Sequence, residues 1–395
     1  MKQMILKHIP KPVLDFLVDM KYYLPSRLFS FLPMKRNRIV LTSFFGNDYG
    51  DNSKYIAEAL ARIYPEAELI WEIRPELIQG NHLPPQIRPV PFRSLAAAKA
   101  LATACVWVDN SRKTTRIFHR RHQLYIQTWH GAPGIKKCEG DSAAVLDPDY
   151  VKYAKRDAAM TDIMVSNSQF TTDLYRRAFW YHGRILKCGS PRNDILCGNT
   201  DSAARKIRRL YDLPQDCRVL LYAPTFRSNF SPDMYTLDTA EVLSACARRF
   251  GGSWFLLIRL HPNLYKAHAC LGQSGGRCKD VTAYPDMQEL LAASDALITD
   301  YSSSNVDYLL TGRPSFIYAR DMDSYSDERG YYFKFSEMPF PVASTMEELT
   351  DNILYFDADS FKQRTRQFFE QTKMNEKGIA SDTVARYIRQ YCLRH

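Results

Sequence analysis

The sequence predicts an α/β protein with two doubly wound domains, each built on a parallel sheet. Short apolar runs rich in β-branched residues recur along its 395 residues and are typical of buried strands. They alternate with segments in which apolar residues recur at the spacing of amphipathic helices. With 45% hydrophobic residues, the chain is long enough to bury two separate cores.

Residues 1–37 precede this alternation and differ from it in composition. Their apolar residues are interspersed with lysine and arginine, and Asp15 and Asp19 are the only acids. Four prolines predict that the segment is broken into short amphipathic pieces. A basic segment with an apolar face suits an anionic membrane surface, and it suits packing against the body of the protein equally well.

Strands and helices begin to alternate at residue 38, which opens the predicted first domain, residues 38–205. Its predicted strands are residues 38–45, 67–73, 104–110, 123–129, 163–168 and 185–189, and its predicted helices are residues 51–64, 93–104 and 170–181. A polar helix at residues 201–214 marks the predicted join to the second domain.

The second predicted domain comprises residues 206–375 and is followed by a C-terminal helix within residues 376–395. Its predicted strands are residues 218–224, 253–262, 279–284, 296–299 and 314–319, with helices near 238–250, 286–293 and 303–311 and a helical pattern over the last fifty residues. Because ligands of open α/β sheets bind at the carboxyl ends of the strands, we expect a cleft where the two sheets face each other.

Composition narrows the class of protein. A net charge of +10 predicts negatively charged partners. The nine cysteines include no C-x-x-C pair, which argues against a disulfide framework or a structural zinc site and fits a reducing cytoplasm.

No run approaches the roughly 18 to 20 apolar residues of a membrane-spanning helix, and no signal peptide is recognisable. No carboxylate cluster resembles a magnesium site, so we expect no metal held by protein ligands alone and no cofactor.

The stretch at residues 294–308, SDALITDYSSSNVDY, is the most informative in the chain. A buried strand ends abruptly in polar residues, among them Ser302 and Ser303, at the point where a helix is predicted to begin. The free N–H groups of a helix start, the positive end of its dipole and serine hydroxyls together suit a phosphate. An ordinary serine cap would have the same sequence.

Four more polar clusters follow predicted strands. They are residues 128–133, 189–194, 223–227 and 259–262. His130 is a candidate general base, because the unperturbed pKa of histidine lies near neutrality. Arg192 has the fork geometry to grip a phosphate. Arg259 and His261 share one face of their strand, so both are able to meet one anion. Any one of these clusters alone is equally consistent with a plain turn.

In their order and spacing, these clusters resemble a known family. The motifs WHGAP, GSPRND, YAPTFR, RLHP and LITDYSSSNVDYLLTGRPSFIY, with NRIVLTSFFGNDYGDNSKYI before them and RGYYF after them, resemble the CDP-glycerol:poly(glycerophosphate) glycerophosphotransferase family of teichoic-acid and capsule assembly. The resemblance covers approximately residues 38–356.

The resemblance implies a GT-B fold of two Rossmann-like domains and transfer of glycerol phosphate from CDP-glycerol to a hydroxyl, with release of CMP. It implies that His130 deprotonates the acceptor, that His261 with Arg259 stabilises the donor pyrophosphate, and that Asp307 holds the glycerol hydroxyls. The other substrate-binding residues carried over from the motifs are Trp129, Gly131, Ala132, Pro133, Arg192, Pro224, Thr225, Leu260, Ser302 and Ser303.

The resemblance also implies partners and a location. The expected acceptor is lipid-linked or an anionic polyol-phosphate or glycan polymer, and the expected place of work is the cytoplasmic side of a bacterial cell membrane, bound peripherally to its anionic surface. The positive charge of the chain would serve both the acceptor and the lipid.

Several alternatives stay open at this point. Phe226 stands where the family often has tryptophan and Ala132 where threonine is frequent, so CDP-ribitol is an alternative donor. A GT-B glycosyltransferase that uses a sugar nucleotide would need the same phosphate-binding parts. No helix-turn-helix, RNP motif or zinc knuckle occurs, so no nucleic-acid partner is predicted. Primase or polymerase activity, the teichoic-acid or capsule pathway, and the oligomeric state are left open.

Overall fold

The protein forms two β-sheets in which neighbouring strands all pair in parallel. The computed structural model describes residues 11–80, 83–131, 134–225, 235–260, 276–321 and 330–394. Helices cover both faces of each sheet and bury separate cores against them. This arrangement confirms the predicted α/β class with two parallel sheets.

The first sheet has seven strands in the order β3-β2-β1-β4-β5-β6-β7. They are β1 (Lys35–Thr42), β2 (Glu68–Ile73), β3 (Ile87–Pro91), β4 (Ala104–Asp109), β5 (Leu124–Gln127), β6 (Ile163–Ser166) and β7 (Arg184–Lys187). The sequence analysis did not predict strand β3, because Pro89 and Pro91 interrupt the residue pattern expected of a strand. It forms one edge of the sheet, which is where proline is tolerated.

The helices that precede and surround the first sheet are α1 (Lys11–Phe29), α2 (Asp51–Ile63), α3 (Pro75–Ile78), α4 (Leu95–Thr103), α5 (Pro148–Met160), α6 (Gln169–Ala178) and α7 (Asp194–Cys197). Neighbouring residues of β1 serve opposite faces of the sheet, as the period of two requires. Ile39 packs in the core that contains Leu60 of α2, and Val40 packs in the core that contains Leu101 of α4.

The second sheet has six strands in the order β10-β9-β8-β11-β12-β13. They are β8 (Cys217–Ala223), β9 (Ser253–Ile258), β10 (Cys278–Asp280), β11 (Ala296–Thr299), β12 (Ser315–Tyr318) and β13 (Val342–Ala343). Its helices are α8 (Asp201–Leu210), α9 (Thr239–Phe250), α10 (Met287–Ala293), α11 (Ser304–Tyr308), α12 (Met346–Leu354) and α13 (Ala358–Thr372). Strand β13 has only two residues, too few to give a periodic signal.

Helix α8 crosses the predicted domain limit between residues 205 and 206. Its buried Ile207 packs with Val219 of β8, so the whole helix belongs to the core of the second sheet. The last helix, α14 (Ala380–Arg394), returns to the first sheet, where Val384 and Ile388 join the core beside α2. The domain limits themselves stay predictions.

Helix α1 is continuous over 19 residues, so the predicted division of residues 11–29 into short pieces is wrong. Pro25 lies inside the helix, where its missing N–H costs one intrahelical hydrogen bond. Contacts with the first domain offset this loss. Ser26 Oγ accepts a hydrogen bond from Phe118 N at 2.9 Å, and Asp19 pairs with Arg156 at 3.1 Å.

The opposite side of α1 is open to solvent. Leu17, Leu24 and Leu28, at spacings of seven and four residues, share one face of the helix and are 50%, 56% and 66% exposed. In the described part of the chain, no helix combines the length with the hydropathy needed to cross a bilayer.

Candidate functional site

The segment Trp129-His130-Gly131 follows the carboxyl end of β5 and holds an unusual backbone. Trp129 has φ of 56° and Gly131 has φ of 139°, the second of which only glycine adopts readily. Trp129 N donates to Gln127 Oε1 at 2.9 Å, and Trp129 O accepts from Asn52 Nδ2 at 3.0 Å. These bonds fix the turn that presents His130.

The His130 ring has a defined tautomer. Its Nδ1 lies 2.5 Å from the carbonyl oxygen of Asn110, and because a carbonyl only accepts, Nδ1 carries the proton and Nε2 carries the lone pair. The ring stacks on Trp129 with centroids 4.4 Å apart, and Phe44 meets it edge-on. Burial lowers the pKa of His130, so the imidazole is neutral at neutral pH. The geometry suits a general base.

A buried ionic network around Arg112 packs against the Trp129-His130-Gly131 segment. Arg112 Nη2 donates to Glu139 at 3.0 Å and Nη1 to Asp157 at 3.3 Å, while its guanidinium faces the Trp129 ring at 5.6 Å. The sequence analysis missed Arg112 and Asn110. Asn110 is the first and Arg112 the third residue after β4, so they carry the same signal of polar residues after a strand that identified the other clusters.

The serine-rich segment of the second domain meets the histidine segment of the first. A Cβ atom added to Gly131 would lie only 2.7 Å from Ser303 Oγ, so this contact requires glycine. Ser302 Oγ donates to Ser304 Oγ at 3.0 Å and accepts from Ser304 N at 3.2 Å. The helix that follows is short: α11 has five residues and continues as a single 3₁₀ turn at Leu309–Thr311.

The carboxyl ends of β8 and β9 bring the other donor-side candidates to the same edge of the second sheet. Pro224 is buried, and Thr225 N donates to both carboxylate oxygens of Asp300 at 3.0 Å. Leu260 is buried, and its N–H donates to Thr282 Oγ1 at 2.9 Å. His261, Ala132 and Pro133 lie outside the described residues.

Arg259 is a half-buried cation, and one nitrogen of its guanidinium, Nη1, is shielded from solvent. Its Nη2 lies 3.5 Å from Pro285 O, and its Nη1 has no hydrogen-bond partner among the described residues. Burial lowers the pKa of Arg259, and the nearby Asp48 carboxylate opposes that shift. A guanidinium N–H that is shielded from water and lacks a partner is costly, so Nη1 suits an anionic ligand.

Arg192 and Asp307 are paired with each other across the two domains. Arg192 lies 2.7 Å from both Asp51 of α2 and Asp307 of α11. Asp307 also accepts from Asn193 at 2.9 Å and from Gln288 at 3.0 Å. Their direct contact with CDP-glycerol stays a prediction. The observed arrangement is a buried clamp that holds α2 to the second domain.

A second ionic cluster strengthens the same junction. Lys54 of α2 pairs with Asp286, at the start of α10, and with Glu289 at 2.6 Å. Tyr55 OH adds a hydrogen bond to Asp286 at 3.0 Å, and Lys206 pairs with Glu289 at 2.7 Å. Helix α2 is therefore fixed at two points. None of these partners was predicted, because their spacing in the sequence carries no signal.

The predicted site residues thus form three groups in the structure. Gly131, the neighbour of His130, meets Ser303. Thr225 lies beside the strand end that leads to Ser302, and Arg192 joins Asp307. Asn52 connects the first and third groups: its side chain donates to Trp129 O and accepts from Arg192 N, each at 3.0 Å.

Comparison with known proteins gives matches over nearly the whole chain. Residues 24–390 match the family described as CDP-Glycerol:Poly(glycerophosphate) glycerophosphotransferase. The chain is 30% identical over 395 residues to the teichoic acid glycerol-phosphate transferase of Staphylococcus aureus, covering 96% of this chain and 99% of that protein. It is 31% identical over 371 residues to the teichoic acid poly(glycerol phosphate) polymerase of Staphylococcus epidermidis, covering 90% of this chain. The chain spans only 51% of that polymerase.

Solved structures agree with these matches. The wall teichoic acid polymerase TagF, in a variant soaked with CDPG, superimposes with a TM-score of 0.82 and 29% sequence identity, and the match covers 97% of this chain and 96% of the TagF chain. The chain therefore belongs to the CDP-glycerol:poly(glycerophosphate) glycerophosphotransferase family.

Proposed function

We propose that this protein transfers glycerol phosphate from CDP-glycerol to a hydroxyl of a teichoic-acid or capsular acceptor and releases CMP. Membership of the family supports the reaction, and so does the CDPG soaked into TagF. The observation that carries the proposal is the His130 ring. Its Nε2 is left free as a base by the Asn110 carbonyl, and its segment touches the serine segment of the second domain.

In the proposed reaction, His130 Nε2 takes the proton of the acceptor hydroxyl as its oxygen attacks the phosphorus atom that carries glycerol. The bond from that phosphorus to the CMP oxygen breaks, and CMP leaves with the electron pair. Arg259 Nη1 is proposed to stabilise the pyrophosphate charge, together with Ser302, Ser303 and the predicted His261.

The GT-B fold and the donor site are part of the same proposal. Two parallel sheets with a returning C-terminal helix and a junction lined by motif residues support it. The cytosine ring and the glycerol group of CDP-glycerol would then lie at the carboxyl ends of β8, β9 and β11.

The direct test is an assay of CMP release with CDP-glycerol, CDP-ribitol and a sugar nucleotide, each with lipid-linked and oligomeric acceptors. We expect CMP release with CDP-glycerol and a product heavier by one or more glycerol phosphate units. The number of added units separates a primase from a polymerase. Release of a nucleoside diphosphate from a sugar nucleotide, without reaction of either CDP-polyol, would disprove the proposal.

We also propose that α1 binds the anionic membrane surface on which a lipid-linked acceptor would be found. The exposed stripe of Leu17, Leu24 and Leu28 supports this, and so do the lysine and arginine residues of the same segment. Replacing Leu24 and Leu28 with serine is expected to weaken binding to anionic vesicles by about tenfold per residue, since removing a buried leucine costs about 1.5 kcal/mol or more.

Sedimentation with vesicles of anionic or neutral lipid measures this effect. The control is Leu393→Ser, which removes a leucine of similar exposure (60%) from α14. Equal binding of the α1 variant and the control would show that α1 does not bind the membrane.

A further inference from the structure

A cavity of about 640 Å³ opens beside His130 within the first domain. Its walls come from Trp129, the 3₁₀ segment Glu139–Val145 and the start of α5. The volume lies in the range of small-molecule sites and exceeds what a single reacting hydroxyl needs. Whatever places its hydroxyl at His130 therefore also has a larger group to accommodate here.

Aromatic rings form much of the wall. Trp129, Tyr150 and Tyr153 all line the cavity, and the two tyrosine rings meet edge-on with centroids 5.0 Å apart. The faces of such rings carry partial negative charge and attract the weakly positive C–H groups of sugars and polyols. Ser142 adds a buried hydroxyl, 5% exposed as a residue, whose oxygen has no hydrogen-bond partner among the described residues.

The charges of the cavity oppose an anion. Among the described residues, its lining holds three carboxylates, Glu139, Asp147 and Asp149, and two cations, Arg112 and Lys137. The lining charge is therefore −1, in a chain whose total is +10. Arg112 is already paired with two buried carboxylates, one of them Glu139. The carboxylates therefore already neutralise the positive charge of Arg112, which is not available to a bound anion. Hydroxyl groups fit this lining better than phosphates.

Lys137, the second cation of the lining, lies beside the second domain. The backbone N–H of Lys137 donates to the carbonyl oxygen of Gly330, in the second domain, at 3.1 Å. The side chain of this lysine and the glycine backbone are also close, since a Cβ atom added to Gly330 would lie 3.4 Å from Lys137 Cδ. Lys137 thus lies at the junction between the domains, which is also the side from which the donor phosphate would come.

We infer that this cavity is an acceptor subsite for an uncharged, hydroxyl-rich unit, such as a sugar ring, whose hydroxyl reaches His130. Phosphates of the acceptor stay outside the cavity. The inference rests on the proposed function and deepens it, because it assigns the acceptor unit that lies next to the reacting hydroxyl.

The test compares two soluble acceptors with CDP-glycerol as donor: an uncharged octyl glycoside, and an octyl glycerol phosphate whose phosphate neighbours the accepting hydroxyl. We expect the wild type to prefer the glycoside. Tyr153→Ala should raise the KM for the glycoside at least tenfold and leave the Kd of CDP-glycerol, measured by calorimetry, within twofold.

A matched control is Tyr355→Ala, which removes a tyrosine 79% exposed on the second domain and should change neither constant. An unchanged KM for the glycoside in Tyr153→Ala would overturn the inference, and so would a wild type that uses only the phosphate-bearing acceptor. Both outcomes leave CMP release intact, so they are distinct from failure of the proposed function. A loss of folding in Tyr153→Ala would show as a lowered Tm, and Ser142→Ala then provides the second variant.

Discussion

Replacing His130 with alanine or glutamine lowers kcat by about 10²- to 10⁴-fold, the usual contribution of a general base. The Kd of CDP-glycerol stays nearly unchanged, because the base acts on the acceptor and not on the donor. Initial rates of CMP release and calorimetric titration of the donor measure the two effects. His182→Ala, which changes an exposed histidine, is the control and should be fully active.

The pH profile gives an independent test of the same residue. Burial lowers the pKa of His130 from its ordinary value of 6.5, so the base stays deprotonated as the pH falls through 6.5. The rate should therefore hold at pH 6.5 and decline only in more acidic solution. An acidic limb at or above 6.5, or a His130 variant with normal turnover, would remove His130 from the mechanism.

Replacing Arg192 with methionine lowers the free energy of unfolding by about 3–5 kcal/mol, because it leaves two buried carboxylates without their cation. Arg192, Asp51 and Asp307 are 6%, 7% and 3% exposed, so water cannot take the place of the lost charge. Urea unfolding measures the loss. Adding Asp51→Asn and Asp307→Asn to the same variant should restore part of it.

The chain offers a matched control for this effect. Arg62 and Asp382 also lie 2.7 Å apart, but their side chains are 65% and 30% exposed, so Arg62→Met should cost only about 0–1 kcal/mol. One other result would indicate that Arg192 binds CDP-glycerol instead of holding the domains together. If Arg192→Met raised the Kd of CDP-glycerol and left the free energy of unfolding unchanged, its clamp role would be wrong.

The sequence was informative about the fold wherever apolar runs end in polar residues. Strand β11 and the serines after it were placed correctly, because the apolar run of a strand buried on both faces ends at a sharp change to polar residues. The edge strand β3 was not predicted, because its two prolines are more typical of a loop than of a strand. Helix α1 was wrongly divided because packing of Ser26 and Asp19 on the first domain outweighs the local effect of Pro25.

The site was predictable only in part for a related reason. His130 and Ser303 stood out as polar residues at strand ends. The partners of Arg192 did not, because Asp51 and Asp307 lie 141 and 115 residues away in sequence, and only the docking of two domains brings them together. Three residues of the cavity wall, Asp149, Tyr150 and Tyr153, belong to α5, a helix that the sequence analysis did not identify.

The return of α14 to the first sheet determines the order in which the protein is completed during synthesis. Val384, Ala385, Ile388 and Cys392 fill the core between β1 and α2, so that core stays open until the ribosome has made the entire second domain. A nascent first domain must keep an apolar surface exposed during that time, which is the condition under which chaperones bind. The two domains therefore mature together instead of one after the other.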